Sequence, residues 1–181
     1  MVVVFAELSN GSFKKAAFEA VSYASNVAAS MGTQVCAVVL GEAADVAILG
    51  NYGASKIVQV LDARLNHLEA KAYAKAISDI AAQENAQVVV FSNNITAKAV
   101  APRVAARLKA GLVAGAISLP DTSNGFVVKK SVFAGKAFAL VSVKSAIKVI
   151  SITPNSFPVE NRMRRPLLLL SQWISQRMIF L

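Results

Sequence analysis

The sequence predicts an α/β fold: a three-layer, mostly parallel sheet with helices on both faces and an antiparallel extension near the C-terminal end. Two observations support this prediction. Up to residue 111, short apolar runs alternate with longer segments of helical periodicity, which implies right-handed crossovers and a parallel sheet. Beyond residue 111, the apolar runs are separated by turn signals alone, which is typical of antiparallel strands.

The first strand is predicted at residues 2–6, an apolar run that ends in a polar turn. A helix follows over about 13–31, with Ser12 as its cap and Gly32 as its left-handed stop. The next elements are strands at 34–40, 56–61 and 87–91, a short helix at 43–49, and helices at about 65–83 and 96–109. After Gly111 we expect four antiparallel strands, at 114–119, 126–133, 136–143 and 148–152.

Composition indicates a globular protein with one domain of usual size. Apolar residues make up 55% of the 181 residues and charged residues 16%, which excludes a disordered chain. The formal charge is +9, and four arginines with no acidic residue follow Glu160. The other basic residues lack the interleaved aromatic residues of a base-stacking surface, so we expect no nucleic-acid binding. The N-terminus lacks the pattern of a secretory signal, which makes the cytoplasm the expected location.

The sequence shows no arrangement of residues typical of catalysis or metal binding, and we expect no enzyme. The one histidine, His67, is interpreted as a solvated residue, since no Gly-x-Ser-x-Gly turn accompanies it. The one cysteine, Cys36, lies in an apolar run where we expect it to be buried, and a single thiol excludes a thiolate cluster. Neither a Gly-x-Gly-x-x-Gly loop nor a P-loop occurs, so a Rossmann or P-loop nucleotide site is not expected.

Two groups of residues are candidate binding residues. Ser92, Asn93 and Asn94 follow the strand at 87–91, where open α/β sheets bind ligands beside a helix N-terminus. We favour a helix-capping loop here, with an anion site as the alternative. Arg103 and Arg107 lie four residues apart on one helix face and are either partner-interface residues or solvated arginines.

Five segments carry a resemblance to a known family. They are VFAEL at 4–8, GASKI at 53–57, APRVAARL at 101–108, FAGKA at 133–137 and ITPNSFP at 152–158. With these segments in this order, residues 2–158 resemble the amino-terminal domain of the electron-transfer flavoprotein alpha subunit family. Many relatives carry an acidic residue where this chain has Gly115 and an arginine where it has Thr153. Contacts made by those side chains are therefore not transferred to this chain.

The resemblance implies a subunit of an electron carrier. Members of this family pair with a beta subunit and carry electrons from acyl-CoA and related dehydrogenases to a membrane quinone reductase through one FAD. The FAD is held chiefly by a second, carboxy-terminal domain of the alpha subunit, so this chain is expected to bind none. The amino-terminal domain builds a platform with the beta subunit. Self-association of that platform surface is left open.

The tail is a separate problem, and we divide the chain into a family domain at 1–160 and a non-family tail at 161–181. The tail's longest apolar run is four leucines, too short to span a bilayer. It is either an interfacial anchor built from residues 167–170 with Trp173 and Ile174, or the product of a frameshift that replaced the linker and deleted the flavin domain. We favour the frameshift. The alternative for the whole chain is an adenine-nucleotide-binding module of the universal-stress type, whose late glycine-rich loop is missing here.

Overall fold

The computed structural model describes residues 1–162 and 166–171. This part of the chain contains three α-helices: α1 (Lys15–Ser30), α2 (Ala70–Gln83) and α3 (Ile95–Leu108). Its strands are β1 (Val2–Phe5), β2 (Leu8–Ser9), β3 (Ser12–Phe13), β4 (Val35–Leu40), β5 (Lys56–Val60), β6 (Val88–Ser92), β7 (Gly111–Ala116), β8 (Val127–Val132), β9 (Ala137–Ser142), β10 (Lys148–Ile152) and β11 (Leu167–Ser171). Short 3₁₀ helices lie at Ala47–Tyr52, Ala63–Leu65 and Phe133–Gly135.

Nine strands form one mixed sheet in the order β11-β5-β4-β1-β6-β10-β7-β8-β9. All neighbours from β11 to β7 run parallel, and the β7–β8 and β8–β9 pairs run antiparallel. Strands β2 and β3 form a separate small hairpin immediately after β1. The predicted α/β class, with its mostly parallel sheet and antiparallel extension, is confirmed.

Helices cover both faces of the sheet. Helices α2 and α3 pack on one face, against side chains such as Phe5, Val89 and Phe91. Helix α1 packs on the other face, against Val4 and Val90. Because alternate residues of a strand point to opposite faces, strands covered on both sides read as continuous apolar runs, which is why the central strands were easy to predict. Cys36 is fully buried in β4, as expected, and burial raises the pKa of its thiol to about 12.

The predicted antiparallel arrangement of residues 148–152 is wrong. Strand β10 lies between β6 and β7 and is parallel to both. Its last four residues are buried, as in a strand that lies in the middle of a sheet with both faces covered. The prediction for 114–119 is also corrected, because β7 spans Gly111–Ala116, is parallel to β10, and is antiparallel to β8.

Several predicted helix boundaries move. Helix α2 begins at Ala70 rather than near residue 65, since the Glu69 carboxylate accepts hydrogen bonds from two amides of the first turn. The short helix predicted at 43–49 is a 3₁₀ helix at Ala47–Tyr52. Ser12 does not cap α1, because it lies in β3 and the helix begins at Lys15.

The GASKI segment at 53–57 has a structural explanation. Gly53 ends the 3₁₀ helix with a φ of +111°, and a Cβ at this position would collide with the Ser25 side chain on α1. Only glycine meets both conditions without strain. Ala54 behind it is fully buried.

Part of the tail extends the sheet. Leu167–Leu170 belong to β11, which pairs in parallel register with β5 at the edge of the sheet, and all four leucines are exposed. Trp173 and Ile174 of the proposed interfacial anchor lie outside the described residues. Among the helices of residues 1–162 and 166–171, we find none with the length and hydropathy needed to cross a membrane.

Candidate functional site

The sheet has one topological switch point, between β1 and β6. From β1 the chain moves outward to β4 and β5 on one side, and then returns to build β6, β10 and β7 on the other side. In open α/β sheets, ligands bind at the carboxyl ends of the two strands where the order reverses. Ser92 is the last residue of β6, and Asn93 and Asn94 follow it, so all three residues lie at this point.

The side chains of these three residues have different hydrogen-bonding roles. The Asn94 side chain caps α3, because its Oδ1 accepts a hydrogen bond from the Ala97 amide at 2.9 Å. Asn93 Oδ1 accepts a hydrogen bond from the Ser151 hydroxyl at 3.2 Å, which ties the loop to β10. Ser92 is buried, and its Oγ has no hydrogen-bond partner among the described residues.

Glu7 supplies the negative charge beside the N-terminus of α3. The side chains of Asn94 and Thr96 each donate a hydrogen bond to its carboxylate. A carboxylate is favourable there, because the first turn of a helix carries partial positive charge. The protein's own side chain thus lies where an external anion would interact with α3.

The switch-point crevice does not fit a flavin dinucleotide. The β2–β3 hairpin lies over it, and the clefts beside the hairpin have volumes of about 180, 230 and 350 Å³. None of the described loops in these clefts has the glycine-rich backbone that approaches a pyrophosphate. A shallow depression of about 710 Å³ lies away from the switch point and borders Ser30 and Met31, at the C-terminal end of α1. The helix dipole places partial negative charge at this end, which disfavours the binding of phosphate.

The segment after β10 is held against α1 by a buried carboxylate. Glu19 is 1% exposed, and its two oxygens accept hydrogen bonds from the amides of Asn155 and Phe157, both at 2.9 Å. One turn further along the helix, the Tyr23 ring packs edge-on against Phe157, with ring centroids 5.4 Å apart. The Tyr23 hydroxyl donates to the Ser118 carbonyl at 3.0 Å.

The same face of α1 continues to bind the segment up to residue 162. Ser22 Oγ accepts a hydrogen bond from the Glu160 amide at 3.1 Å. Asn26 donates to the Glu160 carboxylate at 3.2 Å and accepts from Arg162 at 2.7 Å. Arg162 also pairs with Glu160 at 2.7 Å, and hydrogen bonds from Arg162 and then Asn26 lower the pKa of that carboxyl. We call residues 153–162, together with Glu19, Ser22 and Asn26 of α1 that bind them, the linker clamp.

The β8–β9 hairpin presents large apolar side chains to solvent. Phe133 is 81% exposed, Phe138 61% and Leu140 74%. We call these three residues the hairpin face. The ammonium group of Lys129 lies 4.4 Å from the centre of the Phe138 ring. Exposed apolar residues clustered in this way mark interaction surfaces, whereas single ones need no explanation.

The other candidate residues are exposed. Arg103 and Arg107 lie on the exposed face of α3, and Arg103 Nη1 donates to the carbonyl of Ala99 at 2.6 Å. Their role as partner-interface residues stays a prediction. His67 is exposed in the turn before α2, as its interpretation as a solvated residue requires. Among residues 1–162 and 166–171 there is no group of three His, Cys, Asp or Glu side chains placed to hold a metal.

Comparison with known proteins assigns the chain to a family, which the geometry of these sites does not do. A family model described as the electron transfer flavoprotein domain matches residues 2–166. The chain belongs to the electron transfer flavoprotein family. The named relatives agree with the resemblance drawn from the five sequence segments, and they identify the chain as an alpha-subunit amino-terminal domain.

Three relatives show the extent of the match. The electron transfer flavoprotein subunit alpha of Bacillus subtilis is 28% identical over 89% of this chain and 50% of its own length. The subunit alpha of Thermoanaerobacterium thermosaccharolyticum is 30% identical over 76% of this chain and 43% of its own length. The acryloyl-CoA reductase electron transfer subunit beta of Anaerotignum propionicum is 29% identical over 90% and 42%. The chain spans about half the length of the curated relatives it matches.

Proposed function

We propose that this chain is the platform domain of an electron transfer flavoprotein alpha subunit, which assembles with a beta subunit into a heterodimer. That complex carries electrons from dehydrogenases to the respiratory chain. The platform performs no catalysis and holds no FAD by itself, and it works in the cytoplasm. The observation that best supports this proposal is the hairpin face, a group of exposed apolar side chains inside the residues that the family model matches. The exposed leucines of β11, at 167–170, lie outside that match.

The hairpin face has the composition of a protein interface. Aromatic side chains are enriched in the centre of such interfaces, where they contribute most of the binding free energy. Phe138 and Leu140 point to the same side of β9, since they are two residues apart in one strand. A partner that covers them buries apolar area without any change in the fold of this domain.

Charge indicates the chemistry of the partner surface. Residues 122–159 contain five lysines and no acidic residue, and Lys129 and Lys130 belong to β8 itself. A complementary partner carries an apolar patch with carboxylates around its rim, because opposite charges at the rim speed association and reject wrong partners. We propose that the beta subunit provides this surface, with Arg103 and Arg107 as a second contact.

The test is co-purification of the full chain with its cognate beta subunit, with affinity measured by calorimetry. The double variant Phe138→Ser/Leu140→Ser should weaken binding by about tenfold or more, because buried interface anchors typically contribute 1–2 kcal/mol or more each. Ile95→Ser is the matched control, since Ile95 is 83% exposed but lies on α3. The control should bind like the wild type. An Arg103→Ala/Arg107→Ala variant tests the second contact in the same assay.

The outcomes distinguish the proposed assembly with a beta subunit from the proposed docking surface. If the wild type does not bind a beta subunit, the proposed function is wrong. If the wild type binds and the hairpin variant binds equally well, the function stands and the docking surface is elsewhere. A preparation of this chain alone that keeps stoichiometric flavin after gel filtration, seen in its visible spectrum, contradicts the proposal that FAD is held by other polypeptide.

A further inference from the structure

Two helices begin beside the switch point, and they differ in how their first turns are satisfied. The first turn of α3 has the Asn94 cap and the Glu7 carboxylate. Helix α1 has Lys14 at its N-cap position, which makes no side-chain capping hydrogen bond, and no acidic residue lies in the first turn. The first helical acceptor is the carbonyl of Lys14, which accepts from the Ala17 amide. The amides of Lys15 and Ala16 are too close to it along the chain to bond to it, so this end of α1 presents free donors and partial positive charge.

Ser92 is a second and independent feature of the same place. It is 7% exposed, and its Oγ is one of three buried polar side-chain atoms without a hydrogen-bond partner in the described part of the chain. A buried hydroxyl without a hydrogen bond has lost its contact with water and gained nothing in return, so it needs an explanation. The position of a ligand oxygen would provide one.

Strand alternation gives the direction of the Ser92 side chain. Val88 and Val90 of β6 pack in the core beneath α1, and Ser92 is the next residue of that series. Its hydroxyl therefore faces the α1 side of the sheet. Glu7, two residues after the end of β1, interacts instead with Asn94 and Thr96 at the start of α3.

A cleft of about 180 Å³ connects these groups. Its lining includes Lys14, Ala16 and Ala17 of the α1 end, together with Ser92 and Ser9. This volume accommodates a phosphate or a short carboxylate but not a whole nucleotide. The N-terminus of a helix after the first strand, at a switch point, is a place where α/β proteins bind oxyanions.

We propose that this cleft binds an oxyanion, the phosphate or carboxylate group of a small ligand. The free amides at the start of α1 and the Ser92 hydroxyl donate hydrogen bonds to it, and Lys14 supplies the positive charge. Glu7 also lines the cleft, and its two carboxylate oxygens accept hydrogen bonds from the side chains of Asn94 and Thr96. The proposal is independent of the assembly with a beta subunit.

The experiment is an NMR titration of the ¹⁵N-labelled full chain with sodium phosphate, at constant ionic strength maintained with sodium chloride. Saturable shifts are expected at the amides of Lys15, Ala16 and Ser92. Ser92→Ala should raise the Kd by about tenfold and Lys14→Ala by several-fold, as expected for one charge-assisted hydrogen bond and one nearby charge. Lys98→Ala is the matched control, because Lys98 is an exposed lysine in the first turn of α3, and it should leave the Kd unchanged.

Further arms distinguish the ligand class. Acetate binding at the same amides with a similar Kd supports recognition of a general oxyanion. AMP should bind no more tightly than phosphate, and AMP binding more than tenfold tighter would overturn the small-ligand assignment. The proposal is also overturned if phosphate and chloride give the same non-saturable shifts, if Ser92→Ala binds like the wild type, or if the shifts centre on α3.

Discussion

The linker clamp and the hairpin face differ in the polarity and the burial of their side chains. The clamp is polar, yet its central carboxylate is almost fully buried and both oxygens are paired with backbone amides. The hairpin face is apolar, yet its side chains are mostly exposed to water. The difference indicates that the residues that stabilise the fold and the residues that bind a partner lie in different parts of this domain. Substitutions in the clamp should lower stability, and substitutions on the hairpin should change binding alone.

Within the linker clamp and the hairpin face, the largest expected effect belongs to Glu19→Ala. This change removes a buried carboxylate and leaves the partly buried amides of Asn155 and Phe157 without acceptors, which should lower the free energy of unfolding by about 2–4 kcal/mol. Urea denaturation followed by circular dichroism measures it. Glu42→Ala is the matched control at an exposed glutamate and should change stability by about 0.5 kcal/mol or less. Equal stability of the two variants would show that the clamp does not stabilise the fold.

A smaller loss is expected for Tyr23→Phe. The variant keeps the ring contact with Phe157 but loses the hydrogen bond to the Ser118 carbonyl, so unfolding should become easier by about 1 kcal/mol. Tyr52→Phe is the control, because Tyr52 stacks on Phe18 with ring centroids 4.3 Å apart and that stacking survives the change. Thermal unfolding of both variants provides the comparison. A loss as large in Tyr52→Phe would mean that the Ser118 bond contributes nothing particular.

The clamp should also loosen at acid pH. The pKa of Glu160 is lowered, first by the hydrogen bond from Arg162 and then by that from Asn26. A lowered carboxyl pKa stabilises the folded form fully above the ordinary pKa of glutamate, and this stabilisation is lost as pH falls through the lowered pKa. Amide exchange of Glu160 against pH, measured by NMR, should show faster opening at low pH. In Arg162→Ala the transition should move to higher pH, and an unchanged midpoint contradicts the assigned cause.

The smallest effect on stability is expected for Phe138→Ser on the hairpin. Because Phe138 is mostly exposed, the free energy of unfolding should change by about 0.5 kcal/mol or less. Phe91→Ala is the contrasting variant at a fully buried phenylalanine, where a loss of about 3–5 kcal/mol is expected. Urea denaturation of the two proteins is the measurement. A large loss in Phe138→Ser would show that the hairpin face supports the fold rather than a partner.

The sequence was a good guide wherever one local pattern decides the outcome. Strands β1, β4, β5 and β6 were predicted within about two residues, because a strand covered on both faces is a short apolar run with turn residues after it. The position of β10 was not predictable in this way. Its apolar run follows two hairpin strands, and only pairing with β6 and β7 inserts it into the parallel sheet.

The candidate site shows the same division. Residues 92–94 were correctly placed at the carboxyl end of a strand beside a helix, but the sequence did not say that Asn94 caps α3 while Ser92 faces α1. The clamp residues Glu19, Ser22 and Asn26 were missed. Their spacing of three and four puts them on one helix face, a signal present in the sequence, yet the segment that they bind lies more than 130 positions away along the chain.

By itself, the sequence determined the α/β class, the central strands and the family, because these depend on local periodicity and on short motifs kept in order. Only the tertiary structure decided which polar side chains are paired and which are not. Hydrogen-bond partners such as Glu19 with Phe157, or Glu7 with Thr96, come from distant parts of the chain. Their pairing depends on how the sheet and helices pack in three dimensions. That packing leaves the Ser92 hydroxyl without a hydrogen-bond partner among the described residues and leaves the hairpin face exposed.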